Sequence, residues 1–126
     1  MGNELQADAV AATASHESLR VSRRVRFTQD LCALGRKHKN IYLKLSAHFR
    51  VSSQEAPHTD LQPRFDAAVD AFGADRLMWG SDFPFVQLNG GQRASLEAVR
   101  GFARNLPQEA QDALLGGTAR RLFRLP

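Results

Sequence analysis

Cysteine is almost absent from the sequence, in which Cys32 is the only one. A single cysteine excludes an internal disulfide and a zinc site built from several cysteines. Such a composition fits a reducing compartment, and we therefore expect a cytoplasmic protein.

Long hydrophobic runs are absent as well. A helix that crosses a bilayer needs about 18 or more apolar residues in succession, and no stretch of the chain provides them. The first residues, MGNELQADAV, lack the basic start and the apolar centre of a secretory signal. The sequence therefore predicts no membrane partner. With 43% hydrophobic and 24% charged residues, it has the composition of a globular domain that can form a core.

Acidic residues are scarce in one stretch of the chain. Between Arg20 and Lys39, Asp30 is the only acid among many arginines and lysines. Such a cluster can bind nucleic acid, so a basic nucleic-acid-binding module is one alternative for the function. Because stacking on bases needs several aromatic side chains and this stretch contains only Phe27, we expect a solvated face or a loosely ordered arm instead.

The remaining sequence predicts alternating helices and strands. Residues 1–26 are expected to be a loosely ordered lead-in, unrelated in origin to a domain at 27–126. Apolar residues at helical spacing predict helices from Phe27, over 61–72 and over 96–106, and two shorter helices after Pro107. Alternating apolar residues predict strands at 41–46 and 76–82, and the long segment 47–60 between elements is a candidate functional loop.

Strands that alternate with helices predict an α/β fold with parallel strands and right-handed crossovers. Ligands bind beyond the C-terminal ends of such strands. Asp82 ends the second predicted strand, on the same face as Gly80, whose missing side chain leaves room beside it. An aspartate there can bind a divalent metal or take a proton from water. The alternative is an aspartate that caps the turn before Pro84 by accepting a backbone N–H bond.

Three segments carry a family resemblance. FGADRLMWGSDFPF resembles the last strand of the amidohydrolase-related TIM-barrel hydrolases, NIYLKLSAHFRVSS their preceding strand, and LGGTARRLFRLP their closing helix. The SxxxR spacing from Ser46 to Arg50 and the WGSD sequence are similar to lactonases that open pyrone-dicarboxylate or sugar lactones. The resemblance implies an α/β fold that is the C-terminal quarter of a TIM (β/α)8 barrel, with its last two strand–helix units plus closing helices, in a truncated chain.

The resemblance also implies a function and a site. The function is hydrolysis of a lactone, ester or amide bond in a small, carboxylated substrate. Asp82 would be the catalytic aspartate, as general base toward water or as a ligand of a divalent metal, zinc or manganese. Arg50 would bind a substrate carboxylate, and Ser46 would face the barrel interior with Lys44 and contact the substrate. Ala47 stands where the family usually has glycine.

Much of a full barrel has no counterpart in the sequence. The family's His-x-His and Asp-His-x-Gly segments are missing, and His16, His38, His48 and His58 do not fill the gap. His48 and His58 lie in the long loop, where a role other than metal ligand is expected. Two strands cannot close a barrel, so their edges would be open to pairing. A non-catalytic interaction fragment is therefore a further alternative, with self-association or a chain that supplies the missing strands as the expected partner.

Overall fold

Helices and short strands alternate along the described part of the chain. The structure, a computed structural model, describes residues 16–126, apart from the side chains of residues 16–25 and 27. In chain order the elements are helix α1 (His16–Lys37), strand β1 (Leu43–Leu45), helix α2 (His48–Val51), helix α3 (Gln62–Phe72), strand β2 (Leu77–Trp79) and helices α4 (Gly91–Ala103), α5 (Gln108–Asp112) and α6 (Thr118–Leu122). Leu31 closes a first compact unit, and the second runs from Cys32 to Pro126.

Helix α1 begins earlier than the sequence predicted, at His16 rather than Phe27. The apolar period starts only at Phe27, but arginine, leucine and glutamate have good helix propensity and extend a helix without such a period. Residues 16–26 of the predicted lead-in are therefore helical, whereas residues 1–15 lie outside the described part. The side chains of Arg20, Arg23 and Arg24 in the basic cluster also lie outside it, whereas Arg36 pairs with Asp70 at 2.9 Å.

The two strands pair in parallel, as the alternation of elements predicted. Leu43 lies opposite Leu77, Lys44 opposite Met78, and Leu45 opposite Trp79. Both strands are shorter than the predicted 41–46 and 76–82. Arg76 belongs to a 3-10 turn (Ala74–Arg76) before β2, and beyond the strands the chain turns at Ala47 and Asp82, whose left-handed backbones, with φ of 57° and 58°, are incompatible with a strand. Leu77 and Met78 are both buried, as expected for a parallel strand covered on both faces.

Segment 47–60 is not the continuous loop that the sequence predicted. Helix α2 and a 3-10 turn at Thr59–Leu61 interrupt it, and a left-handed residue, Ala47 or His58, precedes each of them. Helix α3 follows directly and confirms the prediction for 61–72. Among the described residues, no helix has the length and the apolar character needed to cross a membrane.

Helices α3 and α4 supply most of the core that supports the strands. Trp79 on β2 donates its Nε1–H to Ser95 Oγ of α4 at 3.1 Å, which fixes the strand to that helix. Gly35 of α1 lies against the ring of Phe72, and a Cβ at this position would be 2.5 Å from that ring. The buried apolar side chains of these elements are Phe65, Ala68, Ala71 and Phe72 on α3, Leu77 and Met78 on β2, and Ala98, Val99, Phe102 and Ala103 on α4.

A buried arginine, Arg76, joins α1, α3 and the two strands. It lies directly before β2 and is 8% exposed, and its guanidinium is satisfied by backbone carbonyls rather than by a carboxylate. Its N–H groups donate to the carbonyls of Gly35, His38, Ile41, Ala71 and Phe72 at 2.8–3.3 Å. Most of these carbonyls belong to the last turns of α1 and α3. Carbonyls there lack intrahelical N–H partners, and the negative end of the helix dipole stabilises a nearby cation.

Replacement of Arg76 should therefore be severe. We expect Arg76→Met to lower the free energy of unfolding by about 3 kcal/mol or more, because several buried carbonyls lose their donor at once. Arg76→Lys should recover only part of the loss, since one ammonium cannot reach carbonyls on several sides.

The matched control is Arg100→Met, because Arg100 is exposed and its partner among the described residues is Glu97, one turn away. It should cost at most about 0.5 kcal/mol. Urea denaturation of the three variants measures the difference, and a similar loss for Arg76→Met and Arg100→Met would contradict this role of Arg76.

Candidate active site

The C-terminal ends of β1 and β2 lie side by side. The N–H of Gly80 donates to the carbonyl of Leu45 at 2.9 Å, which continues the ladder beyond β2. A Cβ at Gly80 would lie 2.7 Å from Cδ of Lys44, so the space left by the missing side chain holds the lysine stem. The prediction that this space lies open beside Asp82 is therefore wrong, since the stem of Lys44 occupies it.

Asp82 occupies the turn after β2, and its carboxylate takes no part in closing that turn. The N–H of Phe83 donates to the hydroxyl of Ser81 at 3.3 Å, and the N–H of Val86 donates to the backbone carbonyl of Asp82 at 3.1 Å. The side chain of Asp82 is 31% exposed. The role of turn cap, which the sequence left open for Asp82, is thus filled by Ser81, and the carboxylate remains available for another partner.

That partner, within the described part of the chain, is Arg50 on α2. Its Nε lies 3.7 Å from Oδ2 of Asp82, an ionic contact longer than a hydrogen bond. The fold thus brings together two of the predicted site residues, from the loops after β1 and β2. Ser46, the third, is half-buried at the end of β1, and its hydroxyl makes no hydrogen bond to a described residue. Its contact with substrate stays a prediction.

Two buried histidines lie in segment 47–60, which also carries Arg50. His48 begins α2 and His58 precedes the 3-10 turn; each is 6% exposed, and their ring centroids are 6.3 Å apart. Nδ1 of His58 is bonded to the carbonyl of Gln54 at 2.9 Å, whereas Nε2 of His48 is buried without a partner among the described residues. Burial, with a smaller contribution from the charge of His58, lowers the pKa of His48 to about 4.

This histidine pair has no signal in the sequence, because only the turn of the chain between α2 and α3 brings the two rings together. His48 packs edge-on against Phe102 of α4, with ring centroids 6.1 Å apart. The histidine pair therefore packs the loop against α4. Neither histidine forms a hydrogen bond or an ion pair with Asp82 in the described structure.

Hydrogen bonds to Asp60 hold the rest of the loop. Its carboxylate accepts bonds from the hydroxyl of Ser52 and from both the N–H and the hydroxyl of Ser53. Burial raises the pKa of Asp60, but these hydrogen bonds outweigh it and lower the pKa below its ordinary value. The ordered loop forms one wall of an open cavity of about 460 Å³, and residues 88–90 of the loop after β2 form another.

The described residues do not form a metal centre by themselves. Among the side chains that the structure describes, no group of three or more His, Cys, Asp or Glu is arranged to hold an ion. Asp82 could contribute one ligand to a zinc or manganese site, as the resemblance implies, but the other ligands would have to come from elsewhere. His48 and His58 do not complete such a site with it.

The comparison with known families identifies the class of protein. Residues 25–125 match the amidohydrolase family. Since the match covers most of the sequence, the chain belongs to the amidohydrolase family. Within it, the chain is similar to two L-fucono-1,5-lactonases: 43% identical over 56 residues to that of Burkholderia ambifaria and 44% identical over 62 residues to that of Burkholderia multivorans. These matches cover 42% and 48% of the chain but only 18% and 21% of the lactonases.

Solved structures give the same assignment. An amidohydrolase of Burkholderia multivorans with bound HEPES superimposes with a TM-score of 0.72 and 31% identity, over 82% of this chain and 38% of that one. A second structure of a Burkholderia multivorans amidohydrolase, with bound zinc, gives a TM-score of 0.68 and 30% identity over 90% and 40%. A Pseudomonas putida protein named for 2-pyrone-4,6-dicarboxylic acid hydrolysis gives 0.57 and 26% over 70% and 33%. The lactonase-like resemblance seen in the sequence is confirmed, and the chain spans about two fifths of the two amidohydrolase structures.

The lowered pKa of His48 predicts a loss of stability in mild acid. Near neutral pH the imidazole is uncharged in both states; as the pH falls from about 6.5 to about 4, the unfolded chain takes up the proton first. The free energy of unfolding should therefore decrease with falling pH over this window, by about 3 kcal/mol in total. Below about pH 5 the lowered pKa of Asp60 adds to this loss, because its carboxyl also takes up a proton more readily in the unfolded chain.

Urea denaturation at several pH values tests this prediction, with His48→Gln as the variant and the exposed His38→Gln as the control. His48→Gln should flatten the dependence, and His38→Gln should leave it unchanged. An equally steep dependence without His48 would show that its burial is not the cause.

The left-handed backbone of Ala47 predicts a stabilising substitution. A non-glycine residue in this conformation costs about 1–2 kcal/mol. Glycine avoids this cost, but it loses more conformational entropy on folding, which cancels part of the gain. We expect Ala47→Gly to raise the free energy of unfolding by about 1 kcal/mol. Ala33→Gly, at an exposed position inside α1, should instead lower it by about 1 kcal/mol. Thermal or urea denaturation compares them, and two losses of equal size would refute the prediction.

Proposed function

We propose that the chain supplies part of the active site of a hydrolase that opens a lactone in a small, carboxylated substrate, with Asp82 as the catalytic base and Arg50 as the carboxylate-binding residue. The similarity to L-fucono-1,5-lactonases and to a protein named for 2-pyrone-4,6-dicarboxylic acid hydrolysis supports the lactone as the bond cleaved. Esters and amides remain the alternatives within the family.

The proposal includes the barrel to which the site belongs. Two parallel strands, a helical crossover and closing helices correspond to the last two strand–helix units of a (β/α)8 barrel, a quarter of the whole. In barrel enzymes of this kind, catalytic groups lie at the C-terminal ends of the strands, where Asp82 and Arg50 lie here. Strands outside residues 16–126, from the same protein or from a partner chain, would pair with the free edges of β1 and β2.

The observation that carries the proposal is the freedom of the Asp82 carboxylate. Ser81 and the backbone close the turn, so a partly exposed carboxylate is left at the strand ends beside a guanidinium. A group of this kind can accept a proton from a water molecule held near it. At 3.7 Å, Arg50 is near enough to interact with Asp82 but forms no hydrogen bond to it, so its N–H donors remain available for a substrate carboxylate.

The chemistry then follows from ordinary ester hydrolysis. Asp82 takes a proton from water as the water oxygen attacks the carbonyl carbon of the lactone. The bond between this carbon and the ring oxygen breaks as the tetrahedral intermediate collapses. The proton on Asp82 passes to the ring oxygen, which leaves as a hydroxyl group, and the product is an open-chain hydroxy acid. Arg50 holds the separate carboxylate of the substrate throughout.

The decisive variant is Asp82→Asn, which preserves the shape of the side chain and removes its basicity. In the complete barrel we expect kcat for a carboxylated lactone such as 2-pyrone-4,6-dicarboxylate to fall by about 10² to 10⁴. The melting temperature should hardly change, because the carboxylate does not hold the turn.

Asp75→Asn is the matched control, since Asp75 is exposed at the opposite end of β2. Steady-state kinetics and thermal denaturation should show a catalytic defect for Asp82→Asn and none for Asp75→Asn. Turnover close to that of the wild type in Asp82→Asn would remove Asp82 from the mechanism.

A further inference from the structure

Two aromatic rings lie close to the guanidinium of Arg50. Its Cζ is 5.2 Å from the ring centroid of Phe85 and 5.5 Å from that of Phe49. Both distances are within the range in which a cation is attracted to an aromatic face. Phe49 is the neighbour of Arg50 on α2, whereas Phe85 comes from the 3-10 turn after β2 and reaches Arg50 across the gap between the loops.

Arg50 needs such contacts, because little else fixes its position. The side chain is 58% exposed, and its ionic contact with Asp82 is long. A long side chain with several rotatable bonds is disordered in water unless packing limits its conformations. Phe85 is itself 51% exposed and is therefore only partly used by the core of the domain.

The contact with Phe85 is compatible with binding a carboxylate. Stacking on a ring uses the flat face of the guanidinium, while the N–H donors point outward in its plane. An arginine stacked in this way keeps its donors free and loses less conformational freedom when it binds an anion.

The loop of Phe85 also carries Asp82. The hydrogen bond from the Val86 N–H to the Asp82 carbonyl, at 3.1 Å, ties the base of the 3-10 turn to the residue that bears the carboxylate. One short segment thus contacts Arg50 at two points, with a ring at Phe85 and a carboxylate at Asp82. This segment therefore sets the position of the Arg50 guanidinium relative to the Asp82 carboxylate.

We propose that Phe85 is a positioning residue for Arg50: its ring orients the guanidinium so that the N–H edge faces a substrate carboxylate. This inference rests on the proposed function for the identity of the anion. It assigns Phe85 no contact with the reacting atoms, and its effect should be on binding rather than on the chemical step.

Succinate is a suitable probe, because it carries carboxylates but has no ring that could itself stack on Phe85. In the 126-residue chain, NMR titration gives its Kd from the Nε–H signal of Arg50. Phe85→Leu should raise the Kd for succinate two- to fivefold, which corresponds to the free energy of one exposed cation–aromatic contact. It should also shift the Nε–H signal of the unliganded protein, because the ring current of Phe85 is removed. Phe85→Tyr should restore both, and Arg50→Gln should abolish binding.

Phe83→Leu is the matched control, since Phe83 is an exposed phenylalanine in the same loop. It should leave both the Nε–H signal and the succinate Kd unchanged. The inference is overturned if wild type does not bind succinate, if Phe85→Leu leaves signal and Kd unchanged, or if Phe83→Leu has the same effect as Phe85→Leu. If Asp82→Asn retains turnover while Phe85→Leu still raises the Kd for succinate, the proposed reaction is wrong, but the inference that Phe85 positions Arg50 is supported.

Discussion

The described fold depends on a charge that is buried without a counter-ion. Arg76 lies where two helices end and a strand begins, and its guanidinium donates to carbonyls at the ends of α1 and α3 and in the segment between α1 and β1. Each carbonyl lies at the negative end of a helix or in a turn, so together they replace the carboxylate that a buried arginine would otherwise need. The direction in which β2 leaves this cluster fixes where its far end, and hence Asp82, is placed.

At the opposite end of the sheet, backbone conformation places the site. Left-handed residues stop each strand and turn the chain, at Ala47 after β1 and at Asp82 after β2. Aspartate adopts this conformation more readily than most residues do, whereas alanine has no side-chain hydrogen bond to favour it. Arg50 and Asp82 meet because the chain turns after each of the paired strands. The loop after β1 is then held by contacts of two kinds, hydrogen bonds to Asp60 and the burial of His48.

The sequence predicted the features that are local or periodic. Helix α3 and the parallel pairing of the strands follow from apolar spacing and the order of elements, and the family resemblance identified Asp82 and Arg50 as residues of interest. The role of Arg76 was not predicted, because its partners are backbone carbonyls that carry no mark in the sequence. The His48–His58 contact and the use of Ser81 as turn cap also depend on tertiary geometry, and the strand limits were overextended because period-2 alternation continues through residues whose backbone has already turned.

The hydrogen bonds between Asp60 and the two serines also bear on the order of folding. They join residues seven or eight positions apart, so closing this ring costs little chain entropy and requires no other part of the domain. The contact between Arg50 and Asp82 joins distant segments and can form only after the strands have paired. The loop on one side of the candidate site can thus form early in folding, as a local hydrogen-bonded ring. The carboxylate of Asp82 joins it only after the two strands have paired.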